Sequence, residues 1–379
     1  MKILYISHES GLNGSSKSLL EFISKISNKG ICPIVIIPSR GKIKLELDKL
    51  QINTKVIEYE NCVYKNKYSI INYTEYLKIN FNAVRKIVKV IEDEKIDLVH
   101  SNSLAVDVGA VAAYVAKVPH VWHFREYLEE DFNLRFIYPL IDKWLMRKSA
   151  CCIAISNGIK EKGREKYNIR AIRLYNGVDR KLYYYPIQKY QNKTGRIRLI
   201  IAGGISEGKG QWDAIRAVEI LLKKGMDIYL NIVGDGVALY VNSLKKYVKQ
   251  KNMNQYIVFT SYTKNLQQMR LNSDIILVCS RMEAFGRVTA EAMMAGKIVI
   301  GSSSGGTYEL IGKHEERGYL YTWNNPEELA GKIEYVIGHS EEVIEKEKKA
   351  QNFILKLTDL DVYTDNIKKI YQKVLDSED

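Results

Sequence analysis

No run of about 18 consecutive apolar residues occurs in the 379-residue chain, so nothing in it reads as a transmembrane helix. The opening MKILYISHES has only a short apolar run before His8 and Glu9. That is too short for a signal-peptide core and reads as the first strand of a mature fold. Cysteine is sparse. Cys32, Cys62, Cys151, Cys152 and Cys279 form no Cys-x-x-Cys pair and have no histidine nearby at metal-ligand spacing. Three stand in apolar stretches, which points to buried free thiols and a reducing cytoplasm. Zinc-finger, RNA-binding and homeodomain signatures are missing, so nucleic acid is not an expected partner. Low-complexity segments and short-period repeats are missing too.

What is present is ordinary for a globular chain of two or three domains: 46% hydrophobic and 27% charged residues, enough to bury large cores. The net charge is +13, unevenly spread. Residues 1–185 carry 30 basic and 20 acidic side chains, and the remainder carries 27 and 24. A basic first half suits an anionic membrane surface or a phosphorylated substrate. A merely solvated basic surface would have the same composition.

Short runs rich in Ile and Val alternate with longer helical stretches. In the first half they are 2–7, 31–38, 54–59, 97–102, 120–124 and 152–156. The pattern restarts with 196–204, 227–236, 256–262, 274–280, 297–303 and 318–322. Near-continuous apolar strands separated by helices predict parallel sheets covered on both faces. The polar stretch 183–195, with Pro186 and Gly195, reads as a linker. A helix over roughly 360–375 ends the chain. The fold class is α/β, with two doubly wound domains facing each other across a cleft. In such sheets ligands bind outside the carboxyl ends of the strands, so the loops after them carry the chemistry.

Three such loops stand out. Gly203 to Lys209 nearly spells a Walker A loop, but the position that needs a Ser or Thr for magnesium is Gly210. What survives is Lys209 beside a helix N-terminus, a combination that suits a phosphate or diphosphate. A surface lysine in a tight turn would read alike. NIVGDG places Gly234 directly after a strand, allowing a sharp exit and a close ligand. The third loop, SRMEAFGRVTAEAMMAG, runs from a buried strand into a helix starting near Val288, with Gly296 as its C-cap. N–H groups around Arg287 to Thr289 can hold an anion. Glu291, one turn in, is suited to a ribose diol, and Glu283 lies on the other side of that anion site. A helix-dipole glutamate and a solvated loop glutamate would fit the same spacing.

The spacing of Glu283 and Glu291 within EAFGRVTAEAM resembles the signature of retaining glycosyltransferases of family 4, of the bacterial polysaccharide type. GLNGSSKSLLEF, PHVWHFREY, CIAISNGIKE, YNGVD, ISEGKGQWDAIRAV, NIVGDG and SSSGGTYELI are similar to that family's motifs in the family's order, over nearly the whole chain. The resemblance implies the GT-B architecture of two Rossmann-like domains. Residues 1–185 would bind the acceptor and 186–359 the nucleotide-sugar. The helix in 360–379, with Tyr371, would cross back onto the first domain.

The resemblance also implies transfer of a sugar from a nucleotide diphosphate donor to an acceptor hydroxyl, with the anomeric configuration kept. Catalytic roles would fall to Glu283, His123 and Lys209. The donor would be held by Gly203, Gly204, Lys209, Gly234, Ser261, Tyr262, Glu283, Ala284, Phe285, Gly286, Arg287, Val288, Thr289 and Glu291. The acceptor, a glycan or lipid-linked sugar, would meet Gly14, Ser15, Asn102, His123, Arg125 and Glu126; Arg125 and Glu126 could equally form a local ion pair. No aspartate pair is placed like a metal-binding motif, so metal-independent transfer without a cofactor is expected, the nucleotide-sugar being a co-substrate. Many family members carry an arginine where this chain has Gly204. Arg287, or else Arg281, would supply the missing cation. A sugar-nucleotide epimerase of the same fold, or a non-catalytic nucleotide-sugar-binding subunit, are the competing readings. The basic KWLMRKSA and IKEKGREKYNIR segments suit peripheral contact with the inner face of the cell membrane.

Overall fold

The computed structural model describes residues 1–65, 70–187 and 195–377; residues 188–194 of the expected linker lie outside them. The chain divides into two compact units, Met1–Val178 with Thr358–Asp379, and Asp179–Leu357. The first division thus falls at 178/179 rather than 185/186. Val178 is bridged to Asp359, its N–H donating to the Thr358 carbonyl at 2.9 Å, and Gly177 packs against Leu360. These contacts fasten 177–178 and 358–360 to one unit. No helix among the described residues is long and apolar enough to cross a membrane.

The first unit holds strands β1 (Lys2–Ile6), β2 (Cys32–Ile37), β3 (Asn53–Val56), β4 (Val63–Tyr64), β5 (Leu98–Ser101), β6 (His120–Phe124), β7 (Arg135–Phe136), β8 (Cys151–Ala154) and β9 (Ile172–Arg173). Seven form a parallel sheet in the order β3-β2-β1-β5-β6-β8-β9; β4 and β7 pair separately and antiparallel. Alternation along β1 divides the core. Ile3 and Tyr5 join one cluster with Leu19, Phe22 and Ile23, and Leu4 and Ile6 join another with Ala83, Ile87 and Ile91. The terminal helix Leu360–Asp376 buries Leu360, Tyr363, Ile367, Tyr371 and Val374 in the first of these clusters. Their three- and four-residue spacing makes one apolar face, and Asp359 caps the helix by accepting from the Asp361 and Val362 N–H groups.

The second unit holds β10 (Ile197–Ala202), β11 (Ile228–Val233), β12 (Ile257–Thr260), β13 (Ile275–Val278), β14 (Val299–Ser302) and β15 (Tyr319–Tyr321), all parallel in the order β12-β11-β10-β13-β14-β15. Chain order reverses between β10 and β13, so the loops leaving these neighbours diverge at the sheet's carboxyl edge, where open α/β sheets bind ligands. Each strand expected from an apolar run has a counterpart. The three that sequence did not signal, β4, β7 and β9, are two residues long and too short to show periodicity.

Candidate active site

In the second unit, glycines press the loops at this carboxyl edge together. Gly210 has φ +68°, and a Cβ there would lie 2.1 Å from the Cys279 carbonyl oxygen. The Arg281 N–H donates to the Gly208 carbonyl at 2.7 Å. The loop after β10 is thereby docked on the loop after β13. Gly234 (φ +147°) leaves β11 so close to Gly203 that a Cβ would sit 1.8 Å from its carbonyl oxygen. Gly203 and Gly204 themselves are exposed.

That docking brings Lys209 Nζ to 2.9 Å from Glu283 Oε1, both side chains partly buried. Glu283 is fixed through its backbone as well: its carbonyl accepts from the Gly306 N–H at 2.6 Å. The glycine pair after β14 is needed for this approach, because a Cβ on Gly305 or Gly306 would strike the backbone of Glu283 or Phe285 at 2.3 Å. Phe285 is buried, while Ala284 and Val288 are half-buried beside it.

The helix after this loop runs Arg287–Met294, one residue earlier than sequence suggests, because Gly286 turns the chain with φ 81° and ψ 51°. Its first N–H groups have no carbonyl one turn back to receive them. Thr289 is buried, its Oγ1 2.9 Å from Thr307 Oγ1. Glu291 is clasped from two sides. Arg270 NH2 donates to Oε2 at 2.7 Å and Arg287 Nε to Oε1 at 2.8 Å. Arg287 also lies 5.7 Å from the centre of the Tyr183 ring, and Arg281 lies 5.9 Å from that of Trp323. Sequence reasoning missed Arg270, which is 1% exposed. The available signal was an arginine in the short helix Leu266–Leu271 just before a buried strand. Ser261 and Tyr262 are exposed on the loop after β12, where the Tyr262 N–H donates to Asp235 Oδ1 at 3.3 Å.

In the first unit, β5 and β6 place a buried polar network at the carboxyl edge of their sheet. His123 Nδ1 lies 3.3 Å from His100 Nε2, and His100 Nδ1 lies 2.7 Å from the Tyr371 hydroxyl. Burial, then the Arg125 charge, hold His123 well below the usual histidine pKa, so its ring is neutral. Its Nε2 has no hydrogen-bond partner among the described residues. Arg125 donates to Asn102 Oδ1 at 2.9 Å and Asn176 Oδ1 at 2.7 Å. Among the described residues it forms no ion pair with Glu126, so the second of the two roles open to that pair is not seen: successive residues on an extended segment point to opposite faces. Glu126 instead accepts from the Leu104 N–H at 3.1 Å, and burial raises its pKa. Gly14 begins the helix Gly14–Ile26 with open space around it, and Ser15 Oγ donates to Glu9 Oε1 at 3.3 Å.

Known proteins resemble this chain in sequence and in fold. An uncharacterized glycosyltransferase of Methanocaldococcus jannaschii is 28% identical over 83% of this chain and 89% of its own. The N-acetyl-alpha-D-glucosaminyl L-malate synthase of Bacillus anthracis is 25% identical over 69% of this chain and 70% of its own. The crystal structure of Anabaena HepE in complex with UDP superposes with a TM-score of 0.81 at 22% identity, covering 98% of this chain and all of that one. Residues 12–182 match the family Glycosyltransferase Family 4, and 186–354 match Glycosyl transferases group 1. With both halves matched, the chain belongs to the glycosyltransferases of the GT-B fold.

Proposed function

We propose that this enzyme is a retaining glycosyltransferase that moves a sugar from a nucleoside diphosphate to a hydroxyl of a glycan or lipid-linked acceptor. The observation that carries this reading is the Lys209–Glu283 pair at 2.9 Å, set beside the N-terminus of the helix Arg287–Met294 at the reversal point of the sheet. Breaking the bond to the leaving group builds negative charge on a diphosphate while the sugar becomes cationic. Lys209 and the N–H groups of Arg287–Thr289 are fixed charges and dipoles suited to the first, and the Glu283 carboxylate to the second. Charge stabilisation of this kind supports transfer without a catalytic metal.

Glu291, held by Arg270 and Arg287, would present its remaining acceptor capacity to a ribose. Arg287, already oriented by Glu291, is the better replacement for the arginine lacking at Gly204. In the first unit, His123 Nε2 and the Asn102–Arg125 network would serve the acceptor side. The UDP complex of Anabaena HepE, and its UDP-glucose complex at a TM-score of 0.80, support uridine nucleotides as the first donors to try. A role in cell-surface polysaccharide synthesis at the inner membrane face rests on the first unit's exposed Leu140, Ile141, Trp144 and Tyr114, set beside Lys117, Arg147 and Lys148. Sedimentation with anionic liposomes at low salt tests that role; failure to sediment ends it.

The test of the reaction is release of nucleoside diphosphate from UDP-, GDP- and ADP-sugars with and without acceptor, the anomeric form of the product being read by NMR. Transfer with retention, insensitive to EDTA, is the expected outcome. Isomerisation of donor without acceptor would mean an epimerase, and neither reaction would mean a binding subunit.

A further inference from the structure

The first unit contains a second cluster of reactive groups that the proposed transfer does not use. Cys62 precedes β4, Asp107 is the N-cap of the helix Val108–Ala116, and Asp142 lies in the first turn of the helix Pro139–Lys148. One sulfur and one oxygen from each carboxylate all lie within 4.8 Å of one another. Cys62 and Asp142 are each only 1% exposed.

The carboxylates are unsatisfied. Among the described residues neither Asp142 oxygen has a hydrogen-bond partner other than the Cys62 thiol, and Asp107 Oδ1 has none. The other Asp107 oxygen accepts from the Tyr76 hydroxyl at 3.5 Å. Asp107 and Asp142 take part in no ion pair among the described residues. Two buried carboxylates facing one another without a cation are costly, and each unpartnered oxygen adds a desolvation penalty. The backbone nevertheless holds them together. The Cys62 N–H donates to the Ala105 carbonyl and the Ile137 N–H to the Cys62 carbonyl, both at 2.9 Å, so Cys62 is fixed between the segments that carry the aspartates.

We infer that Cys62, Asp107 and Asp142 bind one divalent cation of the zinc class. Its charge offsets the two carboxylates, and the sulfur selects a borderline-soft ion over a hard one. Calcium needs six to eight oxygens and magnesium keeps several waters, neither of which this buried set supplies. Donor atoms around tetrahedral zinc stand ~3.3–3.8 Å apart, so a set that lies within 4.8 Å would draw in around the ion. The fourth position falls to the Tyr76 hydroxyl or a water, and Asp107 is the half-buried member of the set. The ion would fasten the β4–β7 ladder to two helices. It touches none of the residues assigned to donor or acceptor, so its role is structural.

The full-length, tag-free protein should be stripped with chelator and titrated with Co²⁺, then with Zn²⁺. One equivalent of Co²⁺ should produce a thiolate-to-cobalt charge-transfer band that Zn²⁺ abolishes, and Zn²⁺ should raise the Tm by several degrees. Cys62→Ser should lose the band while keeping a reduced Tm shift, and Asp142→Asn should lose both. Because the spectrum is read on the wild type, failure of a variant to fold leaves the proposal testable. Absence of the band with no Zn²⁺-dependent Tm shift overturns it and leaves carboxylates that share protons. A Tm shift that survives in Asp142→Asn overturns it as well, by placing the ion elsewhere.

Discussion

Arg270 and Glu291 form a buried ion pair, NH2 to Oε2 at 2.7 Å, between a short helix before β13 and the helix after it. The pair spans the strand whose exit loop carries Glu283. Arg287 occupies the other oxygen of the same carboxylate. Removing one partner of a buried pair leaves an uncompensated charge and typically costs about 3–5 kcal/mol. Arg287 remains in Arg270→Ala, so the loss should fall near the lower end, about 3 kcal/mol by denaturant titration. Glu291→Ala should cost at least as much, because it leaves two guanidinium groups facing each other. A loss below about 1 kcal/mol for Arg270→Ala would mean that the guanidinium finds water instead.

Lys209 differs because its pair with Glu283 is partly exposed, and such pairs contribute little to stability. Lys209→Ala should therefore leave the Tm nearly unchanged. Removing a donor that stabilises developing charge costs on the order of 100- to 1,000-fold in kcat, and that is the loss expected in sugar transfer. Lys209→Arg should recover part of it. A large fall in Tm with turnover preserved would assign the lysine a structural role.

How far the sequence carries follows from these residues. The two sheets were legible because their strands are buried on both faces and so read as nearly unbroken Ile and Val runs. The Lys209 and Glu283 loops were legible because they follow such strands directly. Their pairing was not, since 74 positions separate them and the Gly210 approach to Cys279, with the Arg281–Gly208 hydrogen bond, brings them together in the fold. Arg270 went unseen for the same reason: its place just before a buried strand does not reveal a partner 21 residues away. Cys62 offered no sequence spacing toward Asp107 or Asp142, which meet it only through the tertiary fold.

The glycines of the second unit divide into required and dispensable ones. At Gly234 a methyl group would sit 1.8 Å from the Gly203 carbonyl oxygen, at a φ of +147°. Gly234→Ala should cost at least about 2 kcal/mol from backbone strain and displaced loops, with uridine diphosphate binding weakened in step. Gly204 has nothing within 4 Å and no left-handed φ, so it should accept a side chain without loss of stability. Gly204→Arg introduces the cation that the resemblance gives to many family members there, and calorimetry should show tighter nucleoside diphosphate binding. Unchanged affinity in Gly204→Arg, together with a large loss in Arg287→Ala, would mean that Arg287 already fills that role.

Acid should destabilise the first unit through its histidines. His120 is buried between Ser149 Oγ at 2.8 Å and Ser101 Oγ at 2.9 Å, and burial lowers its pKa to about 3. His100 and His123 are depressed in the same direction, first by burial and then by the Arg125 charge. Below the ordinary histidine value of about 6.5 the unfolded chain takes up a proton that folded His120 refuses. The stability it contributes is therefore complete above that pH and is lost as the pH falls toward 3. The slope is about 1.4 kcal/mol per pH unit for one such group. Buried carboxylates such as Glu126, whose pKa is raised, respond in the opposite sense, so the total slope alone does not isolate a histidine. The difference between wild type and His120→Gln does, because only one titrating group changes while a ring-sized polar side chain remains for the two serines. Denaturant titrations from pH 7.5 to 5 should show the variant losing less stability than wild type, by about 2 kcal/mol over the range below 6.5. Parallel curves would show that His120 takes up its proton in the folded state.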